Sequence, residues 1–506
     1  MFRITRTWGA AVAVTTALAL TGCSGSDTAE SDAGTVTLVA VAAPPSLDPA
    51  AASMGPTAAY YEAVYDTLLR TDAAGEIQPW LASDWVYNED RTELTLTLRD
   101  AVTFTDGSSL TADVVVANLE RFKSGTAPNA GRLAGVSSFA APDDRTVVIT
   151  LSFPDPNLLM YLASDAGLIA SGEALDDEDL ATSPVGSGAY VLDTEESVIG
   201  STYLYRKNPN YWNPDVQHFD VLTVRALPDV SAIVNAITAG EVDVVQLPKE
   251  AVDPAEAEGW IVDQVEPGGF AGLAFFDRDG ELSPALADKR VRQAINHTLD
   301  RPLLIRAMNA GIGEPTTQVF PVSGQGYDPA LDERYPYDLD KAKELLEEAG
   351  YPDGLTISLP DFGNRDNYAL LEENLAGADI TVEWVESQLQ NSVSDILAKK
   401  YSAVHFALGD ATDWGTVQQI IAPNAAFNPF ATQDDALDDL INDFQTGDEA
   451  EQAEAARAIN EFIVEEAWFA PIQPSFSLIG SAPEVQVTPP TLTTYPSIFD
   501  IQPRSL

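Results

Sequence analysis

Cys23 is the only cysteine among the 506 residues, so no disulfide, no cysteine-rich zinc site and no paired redox motif can staple this chain. Whatever fold it takes rests on apolar burial. A chain this long does not close around one simple core and is expected to form two or three domains. The material for such cores is present, since 45% of the residues are apolar and 8% aromatic, and disorder is not the expectation despite the acidity. The place of the cysteine matters as much as its being alone. A basic start, MFRITRTW, runs into the apolar stretch GAAVAVTTALAL and then into LTGC at 20–23. The stretch is too short for a permanent membrane span and has the dimensions of a signal peptide's apolar region, so 1–22 reads as an export leader. The segment 24–34, SGSDTAESDAG, has no apolar period. It reads as a flexible tether, which as a coil spans roughly 20 Å.

The formal charge is −51, with only 27 Lys and Arg against 78 Asp and Glu. Loss of a leader holding Arg3 and Arg6 makes the rest two charges more negative still. Such a surface repels phosphate backbones and anionic lipid, which excludes nucleic acid as a partner and leaves solubility as its plainest consequence. Against that background, DKRVRQAINHTLDRPLLIRAM at 288–308 places Lys289, Arg290, Arg292, Arg301 and Arg306 within a few turns. Val291, Ala294, Ile295, Thr298 and Leu299 recur at three- and four-residue spacing, giving one buried helical stripe with the cations beside it. Asp288 stands where an N-cap belongs. Two roles stay open for these cations: structural, offsetting carboxylates of neighbouring segments, or a surface facing another lobe or a partner.

The rest of the chain alternates strand and helix signals. TVTLVAV from Thr35 is a β-rich first core strand, and TAAYYEAVYDTLLR sets Tyr61, Val64, Tyr65 and Leu68 on one helical face. Leu94, Leu96 and Leu98 alternate along a half-buried strand, Asp106-Gly107 marks a tight turn, and Thr111 or Ser109 caps a helix carrying Val114, Val115 and Leu119. Gly240 reads as a helix C′ residue before another strand. At GGFAGLAFFD, around Gly268, the pattern restarts. A helix through Ala342, Leu345, Leu346 and Ala349 stops at Gly350; TISLP and ITVEWVE flank a helix at 368–375; a further strand follows SDILAKKYS; and EAEQAEAARAINEFIVEEA precedes the strand WFAPIQP.

Catalytic signals are lacking. His218, His297 and His405 are the only histidines, and no two have metal-ligand spacing. There is no GxSxG, no SxxK in a strand-to-helix context and no Walker A lysine. Asp277, Asp279 and Gly280 imitate the start of a calcium loop whose twelfth ligand is missing, and read as a turn. Gly186 and Gly188 lack the third glycine of a phosphate cradle and read as a turn as well. Asp106 and Asp113 fix a turn and a first helical turn rather than serve as acid and base. No metal and no cofactor is expected, and no enzyme activity.

Several ordered blocks carry a resemblance. DKRVRQAINHTLDR, LRDAVTFTDGSSLTADV, SPVGSGAYVL, the NPxYW segment at 208–212, YDLDKAKELLEEAGYPDG and the last acidic helix resemble the family 5 extracytoplasmic solute-binding proteins, the oligopeptide, dipeptide and nickel receptors of ABC importers. LTGC resembles the bacterial lipobox, which implies cleavage before Cys23 and lipid on its sulfur. The resemblance implies an α/β bilobed periplasmic-binding-protein fold, class II-like and of the cluster C type, with a two-strand hinge and an extra subdomain in the first lobe. Lobe I would comprise 35–266 plus 473–506, and lobe II 267–472. A cleft between them would be lined by Ser53, Met54 and Gly55 from the first lobe and by Phe270, Ala271, Asp410, Asp413 and Trp414 from the second. In peptide-binding members an aspartate takes the ligand's α-ammonium, and Asp413 is the position that matches. This sequence departs from that pattern, because Asp410 stands three residues before it where those members carry Trp, and Trp414 follows instead. The implied function is capture of a small solute, foremost an oligopeptide or dipeptide, and delivery to an ABC permease by a monomer held on the outer face of the cell membrane through its N-terminal lipid. A metal chelate or oligosaccharide receptor on the same scaffold, a secreted hydrolase, and an adhesion or signalling protein are the alternatives.

Overall fold

The computed structural model describes residues 34–125, 127–363 and 365–504. The leader, Cys23 and the tether up to residue 33 lie outside the described residues. The strand expected at Thr35 is Thr35–Ala40 and lies inside a seven-stranded mixed sheet, pairing in parallel with Val221–Ala226 on one side and Val244–Gln246 on the other. Successive side chains of a strand point to opposite faces, and here both faces are covered. Val36, Leu38 and Ala40 enter the core shared with Tyr61, Tyr65 and Leu68, whereas Val39 packs on the other side with Ile233, Ile237, Val245 and Leu247.

A four-stranded antiparallel sheet, in the order Ala82–Tyr87, Glu93–Leu98, Thr146–Leu151, Val136–Asp143, forms an extra subdomain on the first of these cores. Leu94, Leu96 and Leu98 are buried along its second strand. Helix Ala112–Ser124 packs against it, capped by Thr111, whose hydroxyl accepts from the Val114 amide at 3.4 Å.

In the other lobe, strand Phe270–Phe275 lies between Ala403–Leu408 and Phe469–Pro474. Leu273 and Phe275 face helix Lys289–Thr298 through Val291, Ala294 and Ile295, while Phe270 and Ala274 face a second core with Val417, Ile420, Ile459 and Ile463. The chain passes between lobes twice. Ile261–Val265 pairs antiparallel with Ser477–Ser481, and Phe270–Phe275 pairs antiparallel with Phe469–Pro474. The outgoing and returning strands therefore run side by side as a two-strand hinge in a bilobed α/β fold.

Two expected helices are shorter than their periodicity. The basic stretch is two helices, Lys289–Thr298 and Arg301–Asn309. Asp288 caps the first, accepting from the Arg290 amide at 2.9 Å, and Asp300 caps the second with Pro302 in its first turn. The helix in TAAYYEAVYDTLLR ends at Glu62, and Asp66–Thr67 is already a strand pairing with Leu168–Ile169. Tyr61, Val64, Tyr65 and Leu68 are nonetheless all buried, so the pattern reports burial correctly and element length incorrectly.

The basic stretch resolves into two kinds of cation. Lys289 pairs with Glu466 at 2.7 Å and Arg290 donates to Asp288 at 2.9 Å, as the structural reading expects. Arg292 and Arg301 are buried and bind chiefly backbone carbonyls instead. Arg301 donates to the carbonyls of Thr316 at 3.0 Å, Pro471 at 2.8 Å and Tyr335 at 2.9 Å and to Asn296 Oδ1 at 2.8 Å. Arg292 donates to the carbonyls of Leu286 and Glu466, both at 2.7 Å, and of Ala467 at 3.1 Å. Burial pushes both pKa values down to about 10, so both guanidinium groups stay charged at neutral pH.

Candidate functional site

A cavity of about 620 Å³ opens between the lobes, within the range of small-molecule sites. From the first lobe it is walled by the segment after Met54, the end of helix Ala58–Glu62, strand Leu69–Thr71, Arg132 and Tyr161, together with the C-terminal stretch between Pro490 and Asp500. From the second lobe come Pro267, Gly268, 409–412, Gly415 and Gln418. The two walls touch at the rim. Asn157 donates to the Thr412 hydroxyl at 2.8 Å, Tyr161 to Gln418 Oε1 at 3.3 Å, and Gln445 to the Pro154 carbonyl at 3.1 Å.

Beneath the first wall lies Asp66, 1% exposed. Its Oδ1 accepts from the Trp80 indole at 2.7 Å and the Tyr211 hydroxyl at 2.8 Å, and its Oδ2 from the Ser187 hydroxyl at 2.7 Å and the Trp212 indole at 3.0 Å. Burial pushes this carboxyl's pKa up and the four donors pull it back. The arrangement explains why the glycine turn and the NPxYW segment are found together in one sequence, since Ser187 comes from the first and Tyr211 and Trp212 from the second. Glycine is needed in that turn because a Cβ on Gly188 would sit 2.4 Å from the Val64 carbonyl carbon. Trp80 joins this buried network to the cavity, for it also lines the wall, and the Arg70 guanidinium lies over it at 5.4 Å and over Phe499 at 4.9 Å.

At the hinge end the wall is backbone. Gly268 has φ 117° and Gly409 has φ 125°, values that favour glycine. A Cβ on Gly268 would lie 2.2 Å from the Asp410 carbonyl oxygen, and one on Gly409 would lie 2.3 Å from the Gly269 Cα. The two segments approach too closely for any side chain between them.

Of the residues read from sequence, Met54, Gly55 and Asp410 are in the wall, and Ser53, Phe270, Ala271, Asp413 and Trp414 are not. Phe270 is fully buried, edge-on to Phe469 at 5.2 Å. Its strand turns that side chain into the second lobe's core, and Pro267 and Gly268 form the wall before it. Ala271 is half-buried between Ala407 and Gln473 in the sheet. Asp413 Oδ2 accepts from the Gly326 amide at 2.9 Å, its Oδ1 is buried without a partner, and burial pushes its pKa up to about 6. Trp414 packs against Phe444 at 5.2 Å. Asp410 Oδ1 accepts from the Thr412 amide at 3.1 Å and hydroxyl at 3.0 Å.

Sequence reasoning missed Glu62, Arg70, Arg132, Tyr161 and the wall contributed by Pro490–Asp500. Arginine is scarce in this chain, so Arg70 and Arg132 carried a signal: each calls for a local reason. Arg70 is paired with Asp500 at 2.8 Å, and Arg132 with Asp165 at 2.7 Å. The C-terminal stretch carried none, because its place at the cavity depends on contacts more than 400 residues apart in sequence, such as Arg70 with Asp500.

Among the described residues, no group of three or more His, Cys, Asp or Glu is placed to hold a metal. Residues 76–433 match the family model described as bacterial extracellular solute-binding proteins, family 5 middle. The chain is 27% identical over 451 residues to the glutathione-binding protein GsiB of Escherichia coli, covering 84% of this chain and 86% of that one. Its fold matches that of HbpA2 from Haemophilus parasuis with a TM-score of 0.83 at 22% identity, covering 93% of this chain and all of that one. DppA from Helicobacter pylori, in complex with the peptide STSA, matches with a TM-score of 0.73 at 23% identity, over 93% of this chain and 98% of that one. A two-lobed α/β chain with a cavity between its lobes and a family match over most of its length belongs to the family 5 bacterial extracellular solute-binding proteins.

Proposed function

We propose that this protein is the solute receptor of an ABC importer and that it captures a short peptide in the cavity between its lobes, releasing it unchanged to a membrane permease. The observation that carries the reading is the cavity itself: it is of ligand size, drawn from both lobes, and furnished with aromatic surface and with charges of both signs, which suits a molecule bearing both ammonium and carboxylate groups. GsiB is a glutathione-binding protein and the matched DppA structure holds a tetrapeptide, so peptide-like ligands are in keeping with the family. The bodies 35–266 plus 473–506 and 267–472 move against each other about the paired strands, and a ligand touching both walls favours the closed arrangement. Among the described residues no activated nucleophile or metal centre stands at the cavity, and no turnover of the solute is expected.

The N-terminal part of the reading is that the chain is cleaved before Cys23, lipidated there, and held outside the cell membrane as a monomer. Each buried methylene of such a lipid contributes roughly 0.8 kcal/mol, and several acyl chains suffice for stable anchoring. Cys23→Ala releases the protein to the medium; retention on membranes contradicts the anchor. The transport role is tested by deleting the gene and following uptake of labelled short peptides alongside a thermal-shift screen of peptides, sugars and chelates. Peptide-induced stabilisation with lost peptide uptake supports the reading. Unchanged uptake of every stabilising solute overturns it.

A further inference from the structure

Charge on the cavity wall is lopsided. Among the described residues lining it, Arg70 and Arg132 are cations, and Glu62, Asp72, Asp410 and Asp500 are carboxylates. Both cations are already matched, Arg70 by Asp500 and Arg132 by Asp165, which is buried outside the wall. The other three carboxylates meet neutral donors. Asp72 closes its own turn, accepting from the Glu76 amide at 3.0 Å and from Gln78 at 2.9 Å, and Asp410 is bonded by Thr412 as described. Glu62 differs from both. It ends a helix at the cavity's first-lobe wall, and its Oε2 alone takes the Ser497 hydroxyl and the Ile498 amide, each at 3.0 Å, which leaves Oε1 for something else.

The setting of Glu62 suits an organic cation. Trp80 and Phe499 stand in the same wall with ring centroids 5.2 Å apart, and Leu492 adds aliphatic surface. Such a lining accommodates the methylene stem of a lysine or arginine side chain while the charged tip reaches a carboxylate. Arg70, the cation nearest in this wall, is bonded to Asp500 and acts on Glu62 only at longer range. A carboxylate half-buried without an ion pair of its own is costly to the empty protein, and a cation in the cavity lowers that cost. Burial raises the Glu62 pKa, with the Ile498 amide, Arg70 and Ser497 opposing and Asp500 adding to it, and a bound cation would favour its ionised form. Over longer range, a chain of formal charge −51 draws cations inward.

We propose that the cavity selects solutes of net positive charge, basic short peptides above all, and that Glu62 receives their cationic group. The proposal rests on the peptide reading above and narrows it. It also separates this chain from the glutathione-binding relatives, because glutathione carries two carboxylates and one ammonium and is repelled by a wall with surplus carboxylate. The test is calorimetric titration of the full mature chain with trilysine, trialanine and glutathione, on wild type, Glu62→Gln and Glu62→Asp. Wild type is expected to prefer trilysine over trialanine by at least about tenfold and to bind glutathione more weakly than either. Glu62→Gln keeps an oxygen for Ser497 and Ile498 and is expected to bring the trilysine-to-trialanine ratio down about tenfold, the lower end of what a hydrogen bond to a charged group contributes. Glu62→Asp, which keeps the charge, retains most of the preference. An unfolded variant is recognised by its melting curve, and the Asp variant then decides. Binding of trialanine or glutathione in preference to trilysine, or a preference that survives Glu62→Gln, overturns the proposal and leaves the peptide reading standing. No binding of any of the three overturns both.

Discussion

Each lobe buries a charged side chain that gathers polar groups from distant segments, and the two do it with opposite signs. In the first lobe Asp66 collects four neutral donors and, among the described residues, has no cation within bonding distance. In the second, Arg301 collects backbone carbonyls and one amide oxygen and, among the described residues, has no carboxylate bonded to it. Both satisfy a buried charge with dipoles instead of a counter-charge, which is the alternative to an ion pair when partners must come from several strands at once. Their positions differ. The Asp66 network includes Trp80, a wall residue, so it sets the shape of the cavity. The Arg301 network ties helix Arg301–Asn309 to strand Phe469–Pro474 and the 316–335 segment, none of it in the wall. One network thus reaches the cavity wall and the other does not, so only the first is expected to couple stability to binding.

Arg301→Ala gives the largest effect. It strands the acceptors gathered around the guanidinium and opens a hole, so stability measured by urea denaturation is expected to fall by about 4 kcal/mol, with ligand affinity at low temperature changed less than about twofold. A matching loss of affinity would break the distinction. Asp66→Asn comes next, at about 2 kcal/mol. An amide cannot replace this carboxylate because each carboxylate oxygen faces an indole N–H, Trp80 on one and Trp212 on the other, and an indole only donates. Whichever way the amide is turned, one N–H meets another. Here affinity is expected to fall severalfold with stability, because Trp80 loses its anchor; an affinity that stays put shows the network to be structural only.

How much of this was legible in the sequence follows from the range of the interactions. The leader, the strand alternation at 93–98, the caps at Asp288 and Thr111 and the restart at Gly268 depend on neighbours within a few residues, and the described ones stand where local rules put them. The helix that stops at Glu62 does not follow, because Asp66 and its four donors form a tertiary network that overrides the helical period. Arg292 and Arg301 could be seen as unusual but not as buried, since carbonyl acceptors leave no mark in a sequence. Met54, Gly55 and Asp410 came from resemblance, whereas Glu62 and Arg70 required the contacts of the C-terminal stretch.

A smaller effect sharpens the comparison at the hinge. Gly268→Ala forces a Cβ against the Asp410 carbonyl in a backbone conformation that alanine resists, and is expected to cost about 2 kcal/mol and to alter cavity closure, read by small-angle scattering with and without ligand. The smallest concerns pH. Asp155 in the first lobe and Asp413 in the second are both pushed by burial up to about 6, from an ordinary value of 3.8. Between those values the folded chain holds protons that the unfolded chain has lost, so these two groups add stability as pH falls from about 6 toward 4. His405, pushed by burial down to about 4, works the other way below its ordinary 6.5. The paired substitution Asp155→Asn with Asp413→Asn should therefore remove the acid-side gain and leave a fall in melting temperature between pH 6 and 4; a gain of the wild-type size in the double variant contradicts the assignment.

The claim under all of this is that the space between the lobes holds one solute and leaves it intact. Calorimetric titration with trilysine, followed by mass spectrometry of the ligand recovered from the denatured complex, tests it directly. The account predicts one site per chain, a negative heat-capacity change from surface buried between the lobes, and peptide recovered whole. Peptide recovered cleaved, or no saturable binding by trilysine or any neutral tripeptide, would contradict it.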